Sequence, residues 1–443
     1  MARLFGTDGV RGTANDELTP ELAFRLGEAA GALLPSAGRG RIVVGKDTRI
    51  SGDMLESALV AGLNAAGCDA LLAGVVPTPA VALLARELGA DGGAVISASH
   101  NPAAYNGIKF FSADGFKLPD ELEARIEAFV TSGETSARPT GGGVGVSRAI
   151  PDAVERYVAH AVATVPGRLD GMKVALDCGH GAAARTSELA FRELGAEVVT
   201  INCDWSGTDI NAGCGSTDLR PVSDLVRMSG ADLGIAHDGD ADRVLAVDET
   251  GAEIDGDRIM AICAAHLKQE ARLAGDTVVG TVMTNMGFEE AMRRIGVTVE
   301  RTQVGDRWVL ERMLAVGAKL GGEQSGHVIF LEHTTTGDGL ITALQLAHVM
   351  KATGRTLSDL ATVMRRFPQV LINVEVRDKS RLDTSEALAR AVAGEEAALA
   401  GTGRVLVRPS GTEPVVRVMV EAAEADVARS TADRLVEVVK REL

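Results

Sequence analysis

The sequence has few aromatic residues and no long apolar run. Aromatic side chains make up only 3% of the 443 residues, so a core must be built mainly from Ala, Val, Leu and Ile. No stretch reaches the roughly 18 apolar residues that a membrane helix needs. The N-terminal residues MARLFGTDGVRG also lack the apolar segment of a signal peptide. We therefore expect a cytoplasmic protein that does not contact a membrane.

Cysteine and positive charge are also scarce. The five cysteines are dispersed without a CxxC pair, which predicts reduced thiols rather than a disulfide framework or a zinc site. The net charge is −16, and this excludes the broad basic face that a nucleic-acid-binding protein presents. An acidic protein can still bind an anionic small molecule where a few arginines converge.

Strand and helix patterns alternate through most of the chain. The β-α-β rhythm appears three times, beginning near residues 41, 172 and 276, and it predicts mostly parallel sheets covered by helices. From about residue 369 the pattern changes to that of a small α+β domain. We expect three tandem mixed, mostly parallel α/β sandwich domains and a smaller C-terminal α+β domain, with boundaries at 1–152, 153–254, 255–368 and 369–443.

Three aspartates alternate in the stretch HDGDADR, directly after an apolar strand. Asp238, Asp240 and Asp242 would repel one another unless a cation neutralises them, and carboxylate oxygens favour Mg²⁺ or Ca²⁺. An EF-hand loop begins similarly, but it requires glycine where Arg243 stands, and strand-like residues follow here. We predict a divalent-cation site rather than a solvated acidic turn.

The stretch ISASHNPAAYNGIKFF places Ser99 and His100 after an apolar strand and Lys109 in a glycine-bearing turn. A nucleophilic serine needs a strand end, a nearby base or cation, and small neighbours. The same residues are also good turn formers. Taken alone, the stretch favours an ordinary polar turn and leaves a reactive centre open.

The stretch GGEQSGHVIF contains alternating polar residues between two apolar segments. Glu323, Ser325 and His327 offer the donors and acceptors that would suit sugar hydroxyls. A plain hairpin turn explains the same pattern more simply. On these residues alone, we favour the hairpin.

A local basic cluster lies in VRPSGTEPVVRV, residues 407–418. Guanidinium groups match phosphate geometry, and a glycine-containing turn can present successive N–H groups to an anion. We therefore favour phosphate binding over a surface turn. The residues concerned are Arg408, Ser410, Gly411, Thr412 and Arg417.

Three further arginines lie beside glycine or aspartate: Arg11 in FGTDGVRG, Arg49 in GKDTRISG and Arg307 in VGDRW. Each of them could equally form a surface ion pair. None of them predicts a site by itself.

Together these stretches resemble the α-D-phosphohexomutase superfamily, from FGTDGVRG to RPSGTEPVVRV. FGTDGVRG, ISASHNP with NGIKFF, GEQSGH and TTTGDG are closest to the bacterial members that act on glucosamine phosphates. The metal loop departs from the family pattern DGDGDR, because Ala241 replaces the middle glycine. Alanine tolerates positive φ less well than glycine, so we expect a turn that alanine can adopt.

The resemblance implies that Ser99 carries a phosphoryl group and, with Asp238, Asp240 and Asp242, holds one Mg²⁺. It implies interconversion of glucosamine 6-phosphate and glucosamine 1-phosphate in a central cleft, for UDP-N-acetylglucosamine and cell-wall synthesis. The intermediate would be a bisphosphorylated sugar that turns end for end. The alternative is a phosphomannomutase/phosphoglucomutase of the same superfamily, and a homodimer is compatible with either.

The resemblance also assigns catalytic roles. Lys109 would handle the hydroxyl proton with support from His100, which requires a lowered pKa for Lys109. Arg11 and Arg243 would steady the phosphoserine. These four residues and Ser99 form the expected catalytic set.

The substrate-binding roles follow in the same way. Glu323, Ser325 and His327 would read the sugar hydroxyls in both orientations. The loop with Arg408, Ser410, Gly411, Thr412 and Arg417 would grip whichever phosphate is not reacting. A hinge near residues 368–373 would close that loop over the substrate.

Overall fold

Four β-sheets and their helices make up the described part of the chain. The structure is a computed structural model that describes residues 4–6, 8–36, 38–382, 384–399, 401–409 and 415–443. Its contacts divide the chain into two units, Met1–Met283 with Gly296–Val363, and Thr284–Ile295 with Met364–Leu443. Among the described residues, no helix combines the length and apolar character that a membrane span requires.

The first sheet contains β1 (Val10–Thr13), β2 (Arg41–Lys46), β3 (Asp69–Val75), β4 (Gly92–Ile96), β5 (Tyr105–Ser112) and β6 (Ser147–Ala149), with helices α1 (Pro20–Leu33), α2 (Gly52–Ala65), α3 (Thr78–Glu87) and α4 (Asp120–Ser132). The strand order is β1-β5-β4-β2-β3-β6. Strand β5 runs antiparallel to both of its neighbours. The expected turn around Lys109 is therefore wrong, because Ile108, Phe110 and Phe111 are buried in this strand.

The second sheet contains β7 (Lys173–Asp177), β8 (Glu197–Ile201), β9 (Leu233–His237), β10 (Val244–Asp248) and β11 (Glu253–Ile254), with helices α5 (Ala153–Ala163), α6 (Ser187–Glu193) and α7 (Arg220–Ser229). Its order is β11-β10-β9-β7-β8. Strands β9 and β10 are antiparallel neighbours. The loop that joins them carries the three aspartates.

The third sheet contains β12 (Thr277–Thr281), β13 (Thr298–Thr302), β14 (Leu320–Gly322) and β15 (Val328–Phe330), and the neighbouring helices are α8 (Gly256–Gln269), α9 (Met286–Arg294), α10 (Asp306–Val316), α11 (Gly339–Thr353) and α12 (Leu357–Ala361). The order is β13-β12-β14-β15. Strand β12 pairs in parallel with β13 and β14. Helix α9 lies between β12 and β13 in the chain but belongs to the second unit.

The second unit is built on an antiparallel sheet of order β16-β18-β17. Its elements are β16 (Gln369–Glu375), β17 (Gly403–Pro409), β18 (Val415–Ala422), α13 (Glu386–Leu399) and α14 (Ala425–Glu442). Asn285, just before α9, donates through Nδ2 to the buried carboxylate of Glu421 at 3.1 Å. The predicted fold class is confirmed, with mixed sheets in the three α/β parts and a small α+β end.

The predicted hinge at residues 368–373 does not coincide with the unit boundary. The boundary falls between Val363 and Met364. Residues from Gln369 to Asn373 are instead paired with β18. A strand that is hydrogen-bonded along its length cannot absorb the dihedral changes of a hinge as a loop can.

Candidate functional site

The acidic loop between β9 and β10 forms a buried cluster in the first unit. Ligand oxygens of Asp238, Asp240 and Asp242 all lie within 4.8 Å of one another. The side-chain atoms Asp240 Oδ1 and Asp242 Oδ1 are buried, with no hydrogen-bond partner among the described residues. Burial raises the pKa of Asp238, and the charges of Asp242 and Asp240 raise it further. A divalent cation with oxygen ligands fits this set, because it would satisfy the unpartnered oxygens and cancel the repulsion.

The turn within this loop is strained at Ala241. Its φ is 55°, in the left-handed region, where a residue with a Cβ costs about 1–2 kcal/mol. Alanine does adopt this turn, as expected, but only in a conformation that glycine tolerates better. The Cβ is buried in a small apolar cluster with Cys178 and Ala183, which offsets part of the strain.

Ser99 follows β4 and is turned toward the aspartates. Its Oγ donates a 2.6 Å hydrogen bond to Asp238 Oδ2 and lies 3.2 Å from His100 Nδ1. Its φ of 52° is also left-handed, a conformation that persists only where the surroundings hold it. Ser97 Oγ accepts from the Ser99 N–H at 2.9 Å, and Asn211 Nδ2 donates to its carbonyl at 2.9 Å. The N–H and the carbonyl of Ser99 are thus both fixed by hydrogen bonds. We call residues 97–105 the serine loop.

Arg49 holds the backbone of the same loop through hydrogen bonds. It is 3% exposed, and its Nε donates to Asp47 Oδ2 at 2.9 Å. Its terminal nitrogens donate to the carbonyl oxygens of Ser99, Asn101, Pro102 and Tyr105 at 2.6–3.0 Å. The sequence marked Arg49 only weakly, because nothing in a sequence shows that backbone carbonyls will converge on a side chain.

Lys109 lies on β5 within reach of three carboxylates. Its Nζ is 2.8 Å from Asp240 Oδ2, 3.6 Å from Asp242 Oδ2 and 3.4 Å from Asp8 Oδ2. Burial disfavours the ammonium form, but these charges outweigh it and hold the pKa of Lys109 above its ordinary value. The lowered pKa that proton abstraction by Lys109 requires is therefore absent in this arrangement.

His100, Arg11 and Arg243, which the sequence predicted as catalytic, lie around Ser99 and the acidic cluster. Burial, then the charges of Arg243 and Arg11, lower the pKa of His100 to about 4. The Arg243 N–H donates to Asp238 Oδ1 at 3.2 Å, and its Nε lies 3.8 Å from Asp242 Oδ1. Arg11 forms an ion pair with Asp8. The structure thus brings Ser99 and its four expected catalytic partners into one neighbourhood.

The stretch GGEQSGHVIF forms the predicted hairpin, and the hairpin reaches the acidic cluster. Strands β14 and β15 pair antiparallel on either side of it. His327 is buried, with Nδ1 3.7 Å from Asp242 Oδ2. Glu323 Oε1 accepts from the Gly305 N–H at 3.0 Å, and Ser325 is exposed at the tip. The hairpin and the binding interpretation are therefore compatible.

Three charged residues of this site were missed by sequence reasoning. Lys117 Nζ lies 2.5 Å from Asp8 Oδ1 and also pairs with Asp306 Oδ2. Asp8 stands three residues before Arg11, and Asp306 stands beside Arg307, so both lie next to arginines that the sequence marked as weak candidates. No sequence pattern pointed to Lys117. Arg307 itself pairs with Glu311 at 2.9 Å and is a surface residue of α10.

In the second unit, the described part of the predicted phosphate loop is its two arginines. Arg408 on β17 and Arg417 on β18 are directly opposite in the antiparallel register. Opposite residues project from the same face of a sheet, close enough to act together. Ser410, Gly411 and Thr412 lie outside the described residues. The paired guanidinium groups offer the fork geometry that suits a phosphate.

Comparison with known proteins accounts for the whole chain. Four family models match in order: Phosphoglucomutase/phosphomannomutase, alpha/beta/alpha domain I at residues 2–137, domain II at 155–251, domain III at 255–367 and the C-terminal domain at 371–438. A solved structure of a phosphoglucomutase/phosphomannomutase family protein from Burkholderia thailandensis has a TM-score of 0.83 and 25% identity, covering 99% of this chain and 97% of that one.

Other relatives are more similar in sequence and match over the full length. Phosphoglucosamine mutase of Streptomyces avermitilis is 57% identical over 451 residues and is covered completely, as is this chain. Phosphoglucosamine mutase of Desulforamulus reducens is 54% identical, with 99% of each chain covered. Such identity over full length, with all four domain models in order, leaves no segment outside the resemblance. The chain belongs to the phosphoglucomutase/phosphomannomutase family.

Proposed function

We propose that this chain is an isomerase that interconverts glucosamine 6-phosphate and glucosamine 1-phosphate, a phosphoglucosamine mutase. The observation that carries the proposal is the 2.6 Å contact of Ser99 Oγ with Asp238, inside a buried carboxylate cluster that fits a divalent cation. The full-length relatives with that name support the amino sugar over the hexose alternative.

In this proposal Ser99 carries the phosphoryl group between the two ends of the sugar. Asp238, Asp240 and Asp242, with an oxygen of the phosphorylated Ser99, would hold one Mg²⁺, which when bound offsets the negative charge of a transferring phosphoryl group. Lys109 supplies further positive charge beside the aspartates. His100, with its lowered pKa, is neutral near pH 7 and supports the site through its 3.2 Å contact with Ser99 Oγ.

The remaining residues bind the substrate. Glu323, Ser325 and His327 read the sugar hydroxyls, while Arg11 and Arg243 hold the reacting phosphate. Arg408 and Arg417, with Ser410, Gly411 and Thr412, take the other phosphate. Because a bisphosphorylated sugar has a phosphate at each end, it can turn round and present either end to Ser99. A grip on a second phosphate favours transfer over hydrolysis.

Several expectations stay predictions. They are the domain boundaries at residues 152, 254 and 368, the central cleft, the cytoplasmic location, the homodimer, and the supply of UDP-N-acetylglucosamine for the cell wall. Sequence patterns and the resemblance support them.

The decisive experiment measures turnover of the phosphorylated protein with glucosamine 6-phosphate, glucose 1-phosphate and mannose 1-phosphate, each coupled to detection of its isomer. We expect glucosamine phosphate to be strongly preferred. Ser99→Ala should abolish turnover and labelling by a bisphosphorylated sugar, whereas Ser112→Ala, at the end of β5, should retain both. A preference for either hexose phosphate would favour the alternative.

A further inference from the structure

Asp306 occupies the first position of α10, beside the predicted sugar-reading hairpin. Its neighbour Gly305 donates to Glu323 Oε1 at 3.0 Å. Its own Oδ1 accepts from the Arg307 N–H at 2.7 Å, and its Oδ2 pairs with Lys117. The side chain keeps 17% of its surface exposed. It is therefore a fixed carboxylate that a ligand can still reach.

Asp8 and Asp306 differ in the number of positive charges that surround them. Asp8 faces three cations: Arg11, Lys109 at 3.4 Å and Lys117 at 2.5 Å. Asp306 shares Lys117 with Asp8, and the other ring within 4 Å is that of His327. Among the described residues, Lys117 is thus the one permanently charged partner paired with Asp306.

The histidine makes no hydrogen bond to Asp306. His327 Nε2 lies 3.8 Å from Asp306 Oδ2, but it accepts a hydrogen bond from the Gly337 N–H at 3.1 Å. A ring nitrogen that accepts in this way does not also donate to a carboxylate. Asp306 therefore keeps more uncompensated negative charge than Asp8 does.

The substrate offers a matching group. This step rests on the proposed function: glucosamine phosphates differ from glucose phosphates by an amine at carbon 2, which is largely protonated at neutral pH. An ammonium group is repelled near Asp8 by its three cations. Near the acidic cluster it is repelled by Lys109 and Arg243, and a divalent ion would add to this repulsion when bound. We propose that Asp306 binds the 2-ammonium group of the sugar and so determines the preference for an amino sugar over a hexose.

A charge-assisted hydrogen bond from ammonium to carboxylate is stronger than one from a neutral hydroxyl. Replacing the carboxylate by an amide should therefore weaken the amino sugar selectively. An unprotonated substituent at the same carbon should gain nothing from Asp306. N-acetylglucosamine 1-phosphate tests this point, because its acetamide is uncharged.

The experiment compares kcat/KM for glucosamine 1-phosphate, glucose 1-phosphate and N-acetylglucosamine 1-phosphate in four proteins. Asp306→Asn should lower kcat/KM for glucosamine 1-phosphate about tenfold or more, relative to the two substrates whose substituent at carbon 2 is uncharged. Lys117→Gln breaks the same ion pair but keeps the carboxylate, so the preference should survive. Glu311→Gln, farther along α10 and paired with Arg307, is the surface control and should match the unmodified protein.

Two outcomes would overturn the assignment. One is an Asp306→Asn protein, shown to be folded by its thermal melt, that keeps the original ratio among the three sugars. The other is a Lys117→Gln protein that loses the preference as fully as Asp306→Asn, because the carboxylate would then act only through the ion pair. If the unmodified protein itself fails to prefer glucosamine phosphate, the proposed function is at fault, and this is decided before any variant is made.

Discussion

Ser99 Oγ lies 2.6 Å from Asp238 Oδ2, although 139 positions separate the two residues in the chain. The serine follows a strand of the first sheet, and the aspartate follows a strand of the second. Residues at the ends of strands are well placed to form a shared site, because the sheets beneath them are rigid. The Ser99 hydroxyl is therefore positioned by the packing of two sheets and not by its own loop alone.

The acidic cluster predicts that Mg²⁺ stabilises the fold independently of turnover. A cation that binds only the folded state adds about 2.7 kcal/mol at one hundred times its dissociation constant. We expect Mg²⁺ to raise the melting temperature of the unmodified protein but not, at the same concentration, that of Asp242→Asn.

The matched control is Asp204→Asn, whose side chain is 96% exposed. It should show the same Mg²⁺ response as the unmodified protein. An unchanged response in Asp242→Asn would contradict the assignment of the cluster as a metal site. Isothermal titration with Mg²⁺ provides an independent check of the affinity.

Arg49 predicts a large stability effect from a residue that holds the backbone around Ser99. Replacing it by methionine leaves the carboxylate of Asp47 buried without its ion pair, which costs about 3–5 kcal/mol. The four carbonyl groups of the serine loop lose their donor at the same time. We expect the chemical denaturation midpoint to fall and phosphorylation of Ser99 to slow.

Arg192→Met is the corresponding surface change. Arg192 forms an exposed pair with Glu188 at 2.8 Å, and such pairs contribute about 0–1 kcal/mol. Equal effects of the two substitutions on the denaturation midpoint would show that the buried pair with Asp47 is not what stabilises the loop.

Asp338 predicts a pH-dependent stability. It caps α11, accepts from Tyr157 at 2.8 Å, and burial raises its pKa to about 6. The unfolded chain loses this proton near pH 4, so the folded state holds an extra proton between about pH 4 and 6. Stability from this group therefore falls as the pH rises through that window, by about 3 kcal/mol, and stays low above it.

Asp338→Asn removes this titration and keeps an acceptor for Tyr157 and for the helix end. The melting temperature of the variant minus that of the unmodified protein should rise from pH 4 to pH 6 and then level off. Asp114→Asn, at an exposed position, should give a flat difference. A flat difference for Asp338→Asn as well would refute the prediction.

Two helical glycines should respond oppositely to alanine. A Cβ on Gly27 of α1 would lie 2.0 Å from the carbonyl oxygen of Leu59 in α2, whereas a Cβ on Gly394 of α13 meets nothing within 4 Å. Overpacking costs about 1–3 kcal/mol, while Gly→Ala in an open helix gains about 0.5–1 kcal/mol. We expect Gly27→Ala to lower the melting temperature.

The same melting experiment on Gly394→Ala should show a small increase. Should Gly27→Ala melt at or above the temperature of the unmodified protein, α1 and α2 are not packed as closely as their backbones indicate. Helix propensity favours alanine over glycine in both variants. A difference between the two melting temperatures therefore reports on the contact between α1 and α2.

Most strands and helices could be predicted, because each is written in a local pattern. Periodic apolar residues marked the strand that precedes Ser99 and the strand that precedes Asp238. The strand that carries Lys109 was missed, since its glycine and flanking polar residues are also typical of a turn. The antiparallel insertion of this strand is decided by its neighbours β1 and β4.

The acidic cluster was predictable because its members are adjacent in the chain and mutual repulsion requires a cation wherever the loop lies. The effect of the site on the pKa of Lys109 could not be predicted. Whether a buried lysine gains or loses its proton depends on which charges face it, and Asp8 and Asp240 come from distant segments. The local strain at Ala241 was likewise invisible, because φ depends on the path of the whole loop.

By itself, the sequence determined the types of most elements, the acidic cluster, the stretch around Ser99 and the basic residues of the last domain, since each depends on residues close together in the chain. The tertiary structure alone decided that Arg49 supports the serine loop and that Lys117 joins Asp8 to Asp306. Electrostatic and hydrogen-bonding partners act over a few ångströms in space. No local pattern can encode a neighbour that the fold supplies from fifty or more residues away.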